Sequence, residues 1–359
     1  MLRYLLIALL ILLGLSGLGS AIFGRQTRRR LALAAFAVVT WGAAAFLYFN
    51  PSVAAPRLGQ EPTVETLPTA TRTPTPTPAP TVTPQPGRVL WHAGPSDNLQ
   101  LWIMDDDGSN KRQLTTGEAI GTNVEPAWSP DGSQVAFVTD RVDPEALQIY
   151  VMGVDGSNPR GLMPFQPVHS WSPDWSADGQ KVVFQTNRGE NAIFQLYTCN
   201  VDGSDIKNVT NTTSNESRGD WSPDGKKIAF VSERDGNRNI YVMDADGSNQ
   251  HALTTFTSDE LYPRWSPDGA QILFQGNQEG NGNFGVYVMN ADGSSVQRVS
   301  DLAANNITPT WARKGQAIVF ASDRDDPNWD VYIMDRDGSN LRRLTNQKTV
   351  DRFPTWHGR

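Results

Sequence analysis

The fold is decided by one stretch of sequence, residues 261–300, which reads LYPRWSPDGAQILFQGNQEGNGNFGVYVMNADGSSVQRVS. Four short apolar segments alternate in it with turn residues: one ends at Trp265, and QILF, GVYVMN and VQRVS follow. Pro267 and Gly269 predict a tight turn after the first segment, because Pro presets φ and Gly readily adopts positive φ. The stretch therefore predicts four short strands that form one antiparallel sheet.

Two sequence markers show that this unit recurs six times after residue 87. The first marker is a Trp, found at Trp128, Trp175, Trp221, Trp265, Trp311 and Trp356. The second is Asp-Gly-Ser, which begins at Asp107, Asp155, Asp202, Asp246, Asp292 and Asp337. A period of about 45 residues with four strands per unit predicts an all-β fold, a six-bladed β-propeller over residues 88–359.

The first and last segments of the repeat region complement each other. The region opens at Gly87 with the second, third and fourth strands of a unit, and it ends with a first strand, DRFPTW (351–356). We expect these segments to pair into the sixth blade, because a closed ring leaves no free sheet edge. The end of the sequence at Arg359 is then expected to mark a finished ring, with no catalytic domain after it.

The amino-terminal part predicts attachment to a membrane. Residues 5–23 and 31–49 carry no charge, and each is close to the ~20 residues that cross a bilayer as a helix. Arginines 25, 28, 29 and 30 lie between them, and such loops stay cytoplasmic. We predict a transmembrane helix over 1–24, a basic cytoplasmic loop over 25–30 and a second helix over 31–50, with the propeller extracytoplasmic. The alternative is a cleaved signal peptide over residues 1–23.

A Pro- and Thr-rich linker over residues 51–87 follows the predicted helices. Its core reads PTVETLPTATRTPTPTPAPTVTPQPG (62–87). Proline removes backbone donors and fixes φ, so neither a helix nor a sheet interior can form. We predict a disordered, extended stalk of roughly 3.1 Å per residue.

Charge and cysteine content exclude several classes of function. Residues 1–87 carry seven Arg and two Glu, a net charge of +5, so the total of −7 leaves −12 for residues 88–359. An acidic body without a basic stripe argues against nucleic acid as a partner. Cys199 is the only cysteine, which excludes an intramolecular disulfide and a Cys-x-x-Cys metal site. We predict no cofactor and no metal.

The repeats resemble those of the TolB-like β-propeller family. The resemblance is carried by PRWSPDG, KKIAFVSERDGNRNIYVMDADGSN and the LT that ends a unit. Similar repeats form the propellers of dipeptidyl-peptidase-type and prolyl-oligopeptidase-type enzymes. TolB-like proteins carry a small α/β domain before the propeller, and here the predicted helices and stalk replace it. The peptidases carry an α/β-hydrolase domain, but this sequence has no Gly-x-Ser-x-Gly nucleophile motif.

The strand order sorts the loops into two faces. The SPDG and ADGS turns both follow odd-numbered strands and lie on one side, the turn face. The loops after the second and fourth strands lie on the other side, the loop face, and they differ between units. A variable loop face around a central channel is where we expect a propeller to bind a ligand.

Three sets of residues are candidates for a binding site. Five positions before each Trp marker, a polar ring of Asn123, Ser170, Glu216, Glu260, Asn306 and Asp351 is predicted near the channel mouth. It could hold a cation or a basic peptide group, or be simply solvated. Three positions before the Trp stand the more varied Glu125, Ser172, Arg218, Tyr262, Thr308 and Phe353. Trp171, four before its marker, is the best candidate for an exposed aromatic contact.

One recurring set of residues predicts a structural role instead. After the second strand, four units carry an arginine, namely Arg141, Arg188, Arg234 and Arg324. Because a residue that recurs in most copies serves the blade, we predict that this arginine forms ion pairs between blades.

The sequence as a whole favours a non-catalytic binding or scaffolding module. It predicts a monomeric propeller that engages a protein, peptide or glycan through its loop face. The alternative is a propeller enzyme, a polysaccharide lyase or hydrolase with its active site at the channel mouth. The four histidines fall at different positions of the unit, which disfavours a metal-dependent site. A sensor is a further alternative, but the cytoplasmic loop is too short for a signalling domain.

Overall fold

The computed structural model describes residues 87–116, 121–189, 192–280, 282–325 and 327–358. The predicted helices over 1–24 and 31–50, the loop between them and the linker up to residue 86 lie outside these residues. Within the described ranges, no helix is long and apolar enough to cross a membrane.

Short strands make up almost all of the regular structure. The strands are β1 (Arg88–Gly94), β2 (Gln100–Asp105), β3 (Arg112–Gln113), β4 (Asn123–Trp128), β5 (Gln134–Asp143), β6 (Ala146–Gly153), β7 (Arg160–Gly161), β8 (Ser170–Trp175), β9 (Lys181–Thr186), β10 (Gln195–Asn200), β11 (Lys207–Asn208), β12 (Glu216–Trp221), β13 (Lys227–Ser232), β14 (Asn239–Asp244), β15 (His251–Ala252), β16 (Glu260–Trp265), β17 (Gln271–Gly276), β18 (Gly285–Asn290), β19 (Gln297–Arg298), β20 (Asn306–Ala312), β21 (Ala317–Ser322), β22 (Asp330–Asp335), β23 (Arg342–Arg343) and β24 (Val350–His357). A 3-10 turn spans Arg313–Gly315.

These strands form six four-stranded antiparallel sheets, which are the blades of a propeller. Blades one to five run in chain order and contain β4–β7, β8–β11, β12–β15, β16–β19 and β20–β23. The sixth has the order β24-β1-β2-β3 and so joins both ends of the repeat region. The all-β, six-bladed architecture that the repeats predict is confirmed.

The sixth blade closes the ring through the pairing of β24 with β1. Val89 faces Trp356, and Gly94 faces Val350, in an antiparallel register. Gly87 packs so closely on the Trp356 indole that an added Cβ would overlap it. DRFPTW therefore supplies the first strand of the blade whose other three strands open the region.

The hydrophobic core lies within and between the blades. In each blade a fully buried aromatic residue of the second strand contacts an aromatic residue of the third, for example Phe137 with Tyr150 and Trp91 with Trp102, with ring centroids 6.1 and 6.2 Å apart. The equivalent second-strand residues are Phe184, Phe230, Phe274 and Phe320. Six clusters of buried apolar side chains among the described residues each span two neighbouring blades, so the core holds each blade against the next one all round the ring.

The glycine of the Asp-Gly-Ser turn also joins neighbouring blades. Gly247 has φ +91° and lies on the carbonyl oxygen of Val209 in the preceding blade, where an added Cβ would overlap that oxygen. Gly203 and Gly338 lie in the same way against the carbonyl oxygens of Leu162 and Val299. Positive φ and close backbone contact both require glycine at this turn.

We expect Gly247→Ala to destabilise the protein by about 3 kcal/mol. This figure is the sum of the strain of a positive φ at alanine and the cost of overpacking against the Val209 carbonyl. Gly236→Ala is the matched control, because Gly236 has φ +94° but no neighbouring heavy atom within 4 Å of an added Cβ. The control should lose only about 1 kcal/mol. Chemical denaturation of both variants checks this, and equal losses would show that the contact between blades is unimportant.

Candidate functional site

A β-bulge recurs at the same point of every innermost strand. The register shifts between Val124 and Ala127 in the first blade, and between Ser217 and Asp220 in the third. The third residue before each Trp has φ between 50° and 57°, although none of the six is glycine. Each such residue costs roughly 1–2 kcal/mol relative to an ordinary strand conformation. Bulges redirect side chains, and here they direct six toward the propeller axis.

These six residues, which we call the channel ring, line a cavity at the centre of the propeller. They are Glu125, Ser172, Arg218, Tyr262, Thr308 and Phe353. A proline follows each of them except Arg218, which Gly219 follows. The cavity measures about 30 Å³. That volume accommodates about two water molecules, so side chains nearly close the channel here.

Arg218 connects most of the channel ring. Its Nη1 donates to Glu125 Oε1 at 2.7 Å and to the Ser172 hydroxyl. Ser172 also donates to Glu125 Oε2 through its backbone N–H at 2.9 Å and its hydroxyl at 2.8 Å. Burial alone would raise the pKa of Glu125, but the Arg218 charge and these hydrogen bonds hold the pKa below its usual value. Glu125 is therefore ionised and neutralised by Arg218.

The other side of the channel ring is aromatic. The Arg218 guanidinium lies over the Tyr262 ring at 4.4 Å and over the Phe353 ring at 5.5 Å. Tyr262 and Phe353 contact each other edge to face at 5.5 Å. Such cation–π contacts are worth roughly 2 kcal/mol when water is excluded. Arg218 is therefore fixed between a carboxylate on one side and two aromatic rings on the other.

A second charged cluster lies two residues further along the innermost strands. Arg264 Nη1 donates to Asp220 Oδ1 at 2.8 Å and lies 3.9 Å from Asp174 Oδ1. Asp174 and Asp220 also accept the backbone N–H groups of Trp221 and Trp265 in the following blades. Burial, and then the Asp220 carboxylate, raise the pKa of Asp174 to about 7. Burial therefore favours the protonated form of Asp174 in this cluster.

Three of the bulges are fixed to the preceding blade by a polar side chain. His92 Nδ1 accepts a hydrogen bond from the backbone N–H of Glu125 at 3.4 Å. In the same way, Gln185 Oε1 accepts from the Arg218 N–H at 3.1 Å, and Gln275 Oε1 accepts from the Thr308 N–H at 2.7 Å. Burial lowers the pKa of His92 to about 3, so it stays a neutral acceptor. The sequence does not predict this role, although His92, Gln185 and Gln275 are polar where the second strand is otherwise apolar.

The polar ring lies inside the blades instead of in solvent. All six residues are at most 1% exposed, among them Glu216, Glu260 and Asp351. Glu216 accepts hydrogen bonds from Thr212 and Arg234, Glu260 from Ser258, and Asp351 from the Trp91 indole. Their interpretation as solvated channel residues is wrong, because the loops that enter each innermost strand cover this end of it. In the described part of the chain, no group of three His, Cys, Asp or Glu residues could hold a metal ion.

Three of the four recurring arginines bond to the first strand of their own blade, and Arg188 instead donates to Met163 of the preceding blade. Arg141 donates to Asn123 at 2.9 Å, Arg234 to Glu216 at 3.1 Å, and Arg324 to Asn306 at 2.9 Å. The Arg234 guanidinium also lies 4.4 Å from the Tyr241 ring centre in the same blade. The predicted ion pair between blades is found at Arg324, whose Nη1 lies 2.8 Å from Asp301 Oδ2 in the loop that leaves the preceding blade. Arg234 instead pairs with Glu216 in its own blade.

The loop-face end of the channel is surrounded by partly exposed apolar side chains. At this end, the backbone carbonyl just before the third strand of one blade accepts a hydrogen bond from a backbone N–H near the start of the innermost strand of the next blade. The Phe194 carbonyl accepts from the Glu216 N–H at 2.9 Å, and the Trp329 carbonyl accepts from the Asp351 N–H at 3.1 Å. We call the residues gathered here the mouth belt. It contains Leu99, Leu147, Trp171, Phe194, Arg238, Leu261, Phe284, Ile307, Trp329 and Arg352.

One pair in the mouth belt is geometrically distinct. The Arg352 guanidinium lies 4.4 Å from the Trp329 ring centre. Trp329 has φ 69°, a left-handed conformation that is unusual for a large aromatic residue. Strained residues of this kind cluster at functional sites, where the surrounding structure holds them.

The structure thus divides the eight predicted site residues into three groups. Glu125, Arg218, Tyr262 and Phe353 meet in the channel ring. Glu216, Glu260 and Asp351 are buried within the blades. Trp171 lies in the mouth belt and is partly exposed. The four channel residues come together through the bulge, which the sequence analysis did not predict.

A closed six-bladed propeller with a charged, aromatic channel defines the class of this protein, and comparison with known proteins gives its family. The chain matches the PD40 model, the TolB beta propeller domain, over residues 63–218, 163–285 and 253–359. These segments cover well over half of the chain, so the protein belongs to this family, as the resemblance in its repeats predicts.

Individual relatives match the chain over shorter segments or at low identity. A Tol-Pal system protein TolB from Albidiferax ferrireducens is 40% identical over 53 residues, which are 14% of this chain and 12% of the relative. TolB from Acinetobacter baumannii superposes with a TM-score of 0.64 at 23% identity, over 75% of this chain and 66% of that one. An oligogalacturonate lyase from Vibrio parahaemolyticus superposes with a TM-score of 0.50 at 14% identity, over 69% and 72%. Likeness at these identities shows the fold alone.

Proposed function

We propose that the protein is a membrane-anchored, extracytoplasmic binding module that engages a partner protein through the loop face of its propeller. The observation that carries this proposal is the mouth belt. Two Trp, two Phe and two Arg residues stand among its ten members. Trp, Phe and Arg are enriched in protein interfaces, and Trp and Arg supply many of the residues that dominate binding energy.

The partner class follows from the chemistry of the belt and from the family. Large, partly exposed apolar groups around a narrow channel mouth fit a projecting apolar segment of another protein. The matched relative from Albidiferax is named a Tol-Pal system protein, which supports a role within a protein assembly. A glycan would stack on the same aromatic residues and is an outcome that the experiment below distinguishes.

The anchoring part of the proposal rests on the sequence. The uncharged segments 5–23 and 31–49, with arginines between them, support a helical hairpin whose two ends are extracytoplasmic. The Pro- and Thr-rich linker would then hold the propeller away from the bilayer. The enzymatic alternative, a lyase or hydrolase, has no specific observation in its favour beyond the shared fold.

We expect partner capture to depend on the mouth belt. The full-length chain, fused at its carboxyl end to a labelling enzyme, is expressed in intact cells, and the labelled proteins are quantified. The triple variant Trp171→Ser, Phe284→Ser, Trp329→Asn should lose its main labelled partner at least tenfold, since residues of this type dominate interface energies. Asn replaces Trp329 because Asn tolerates positive φ.

A variant of the turn face is the matched control. Ile206→Ser with Leu341→Ser removes two apolar residues that are 36% and 38% exposed and that follow Asp-Gly-Ser turns. It should leave labelling unchanged. Equal labelling by the belt variant and the wild type would contradict the loop-face proposal, and recovery of cytoplasmic proteins would contradict the membrane side. Loss of capture after glycosidase treatment of the cells would identify a glycan instead.

A further inference from the structure

The guanidinium of Arg218 uses only part of its hydrogen-bonding capacity. Within the described residues, Nη1 makes its two side-chain hydrogen bonds, to Glu125 and Ser172, and Nε and Nη2 make none. The side chain remains 21% exposed, although it stands in the middle of the propeller. The Nε/Nη2 edge of a guanidinium presents two parallel N–H groups, the geometry that binds both oxygens of a carboxylate.

A second unsatisfied group lines the same cavity. Thr308 is 6% exposed, and its Oγ1 is buried without a hydrogen-bond partner within the described residues. A buried hydroxyl without a partner is unfavourable, so its presence calls for a ligand or an ordered water molecule. Arg264 also lines the cavity, is 33% exposed, and donates only through Nη1 within the same residues.

We infer that the channel ring is a binding site for a carboxylate group. The Nε/Nη2 edge of Arg218 receives the two oxygens, the Thr308 hydroxyl donates a further hydrogen bond, and Tyr262 and Phe353 contact the apolar part of the ligand. The cavity has room for about two water molecules, so it admits the small carboxylate end of a ligand and excludes a bulky group. The ligand displaces this water and leaves the Glu125 contact with Nη1 in place.

The charges around the cavity admit one more anion. Arg218 and Arg264 face Glu125 and Asp220, and each of these carboxylates is already bound to an arginine. Asp174 accepts a hydrogen bond from the Trp221 backbone, and its raised pKa reduces its charge near neutral pH. An entering carboxylate therefore meets N–H groups of Arg218 and Arg264 that make no hydrogen bond within the described residues, and the ion pairs of Glu125 and Asp220 stay in place.

The test uses acetate as the probe and acetamide as its neutral isostere, titrated into the full-length protein by calorimetry at constant ionic strength. We expect saturable acetate binding with a Kd of roughly 1 mM, as a four-atom ligand allows, and no acetamide binding. Thr308→Val removes only the hydroxyl and should weaken acetate binding about tenfold while raising the Tm of the ligand-free protein. Arg218→Lys, which keeps the charge but not the two-pronged edge, should weaken it at least tenfold.

Glu125→Gln gives a response in the opposite direction. The loss of the internal carboxylate leaves Arg218 without its counter-ion, so acetate should bind about tenfold more tightly and raise the Tm of this variant more than that of the wild type. The inference is overturned if wild-type protein does not bind acetate, or if Thr308→Val and Glu125→Gln bind it as the wild type does.

The same titration distinguishes two sources of the carboxylate. N-acetyl-triglycine with a free carboxyl end and its carboxamide form are compared with acetate. Tighter binding of the free peptide than of acetate identifies a polypeptide carboxyl terminus as the source, and binding of acetate alone identifies a small organic acid. The inference does not rest on the mouth belt: acetate binding to the triple mouth-belt variant should equal that to the wild type whether or not the variant loses its labelled partner, so each proposal can fail without the other.

Discussion

Deletion of residues 350–358 is expected to abolish cooperative folding of the whole propeller. The pairing of β24 with β1 joins six residue pairs, and Asp351 with Trp91 adds a buried hydrogen bond at 3.3 Å. At about 1 kcal/mol per net hydrogen bond, this pairing alone approaches the 5–15 kcal/mol that stabilises a typical domain. Its loss also leaves β1 as an unpaired sheet edge and uncovers the side of β20 that packs against β24.

A circular permutant provides the control for this deletion. Residues 348–356 are placed before Arg88 and joined to it by a Ser-Pro-Asp-Gly-Ser turn copied from residues 129–133 of the first blade. The sixth blade is then continuous in sequence, and the ring opens in the connection before residue 348. Thermal melting followed by circular dichroism should show a cooperative transition for the permutant and none for the deletion. A deletion that melts at the wild-type temperature would disprove the closure.

Replacement of Arg218 by Ala is expected to cost 3–5 kcal/mol, because it leaves the Glu125 carboxylate buried without its cation. Glu125 is 7% exposed, so bulk solvent hydrates the unpaired carboxylate poorly. The double variant Glu125→Gln, Arg218→Met removes both charges and keeps much of the volume. It should recover most of the loss, since removal of a whole buried ion pair is often nearly neutral.

The pH dependence of this deficit tests its cause. In the wild type the pKa of Glu125 is held below its usual value, so its stabilising contribution is present above pH 4.5 and is lost as the pH falls further. Without Arg218, burial dominates and raises the pKa of Glu125, so the variant loses stability as the pH rises. Urea denaturation should therefore give a larger deficit at pH 7–8 than at pH 4. A deficit that does not vary with pH would indicate lost packing instead of an unpaired charge.

The repeat and its closure could be predicted from the sequence because each marker has a local physical cause. Gly247 must be glycine for its φ and its contact with Val209, and the Trp and Asp-Gly-Ser markers therefore keep their spacing. The order of the strands then follows from counting the strands of each unit along the chain. DRFPTW is the one first strand that is not followed by the second, third and fourth strands of its unit. These inferences need no knowledge of which side chains touch across the ring.

The site was harder to predict because it depends on the bulge and on distant pairings. Positive φ at Glu125, Tyr262 or Phe353 contradicts the conformational preference of those residues, so a sequence pattern predicts an ordinary strand. Arg218 meets a carboxylate 93 residues away, two blades before its own. Polar residues at strand ends are usually accessible, so the sequence predicts exposed carboxylates at Glu216 and Glu260, but both are fully buried in the structure.

The six bulges show that the fold constrains the backbone at the channel but not the identity of the side chains that line it. In every blade, the register shift and the residue that follows it bring one backbone position to the axis. The side chain at that position is Glu, Ser, Arg, Tyr, Thr or Phe, according to the blade. Glycine in any of the six would relieve the left-handed strain. The protein instead keeps six different side chains at some loss of stability. The channel is therefore a set of six positions on a constant frame, and its specificity can be changed without a new fold where paired residues, such as Glu125 and Arg218, change together.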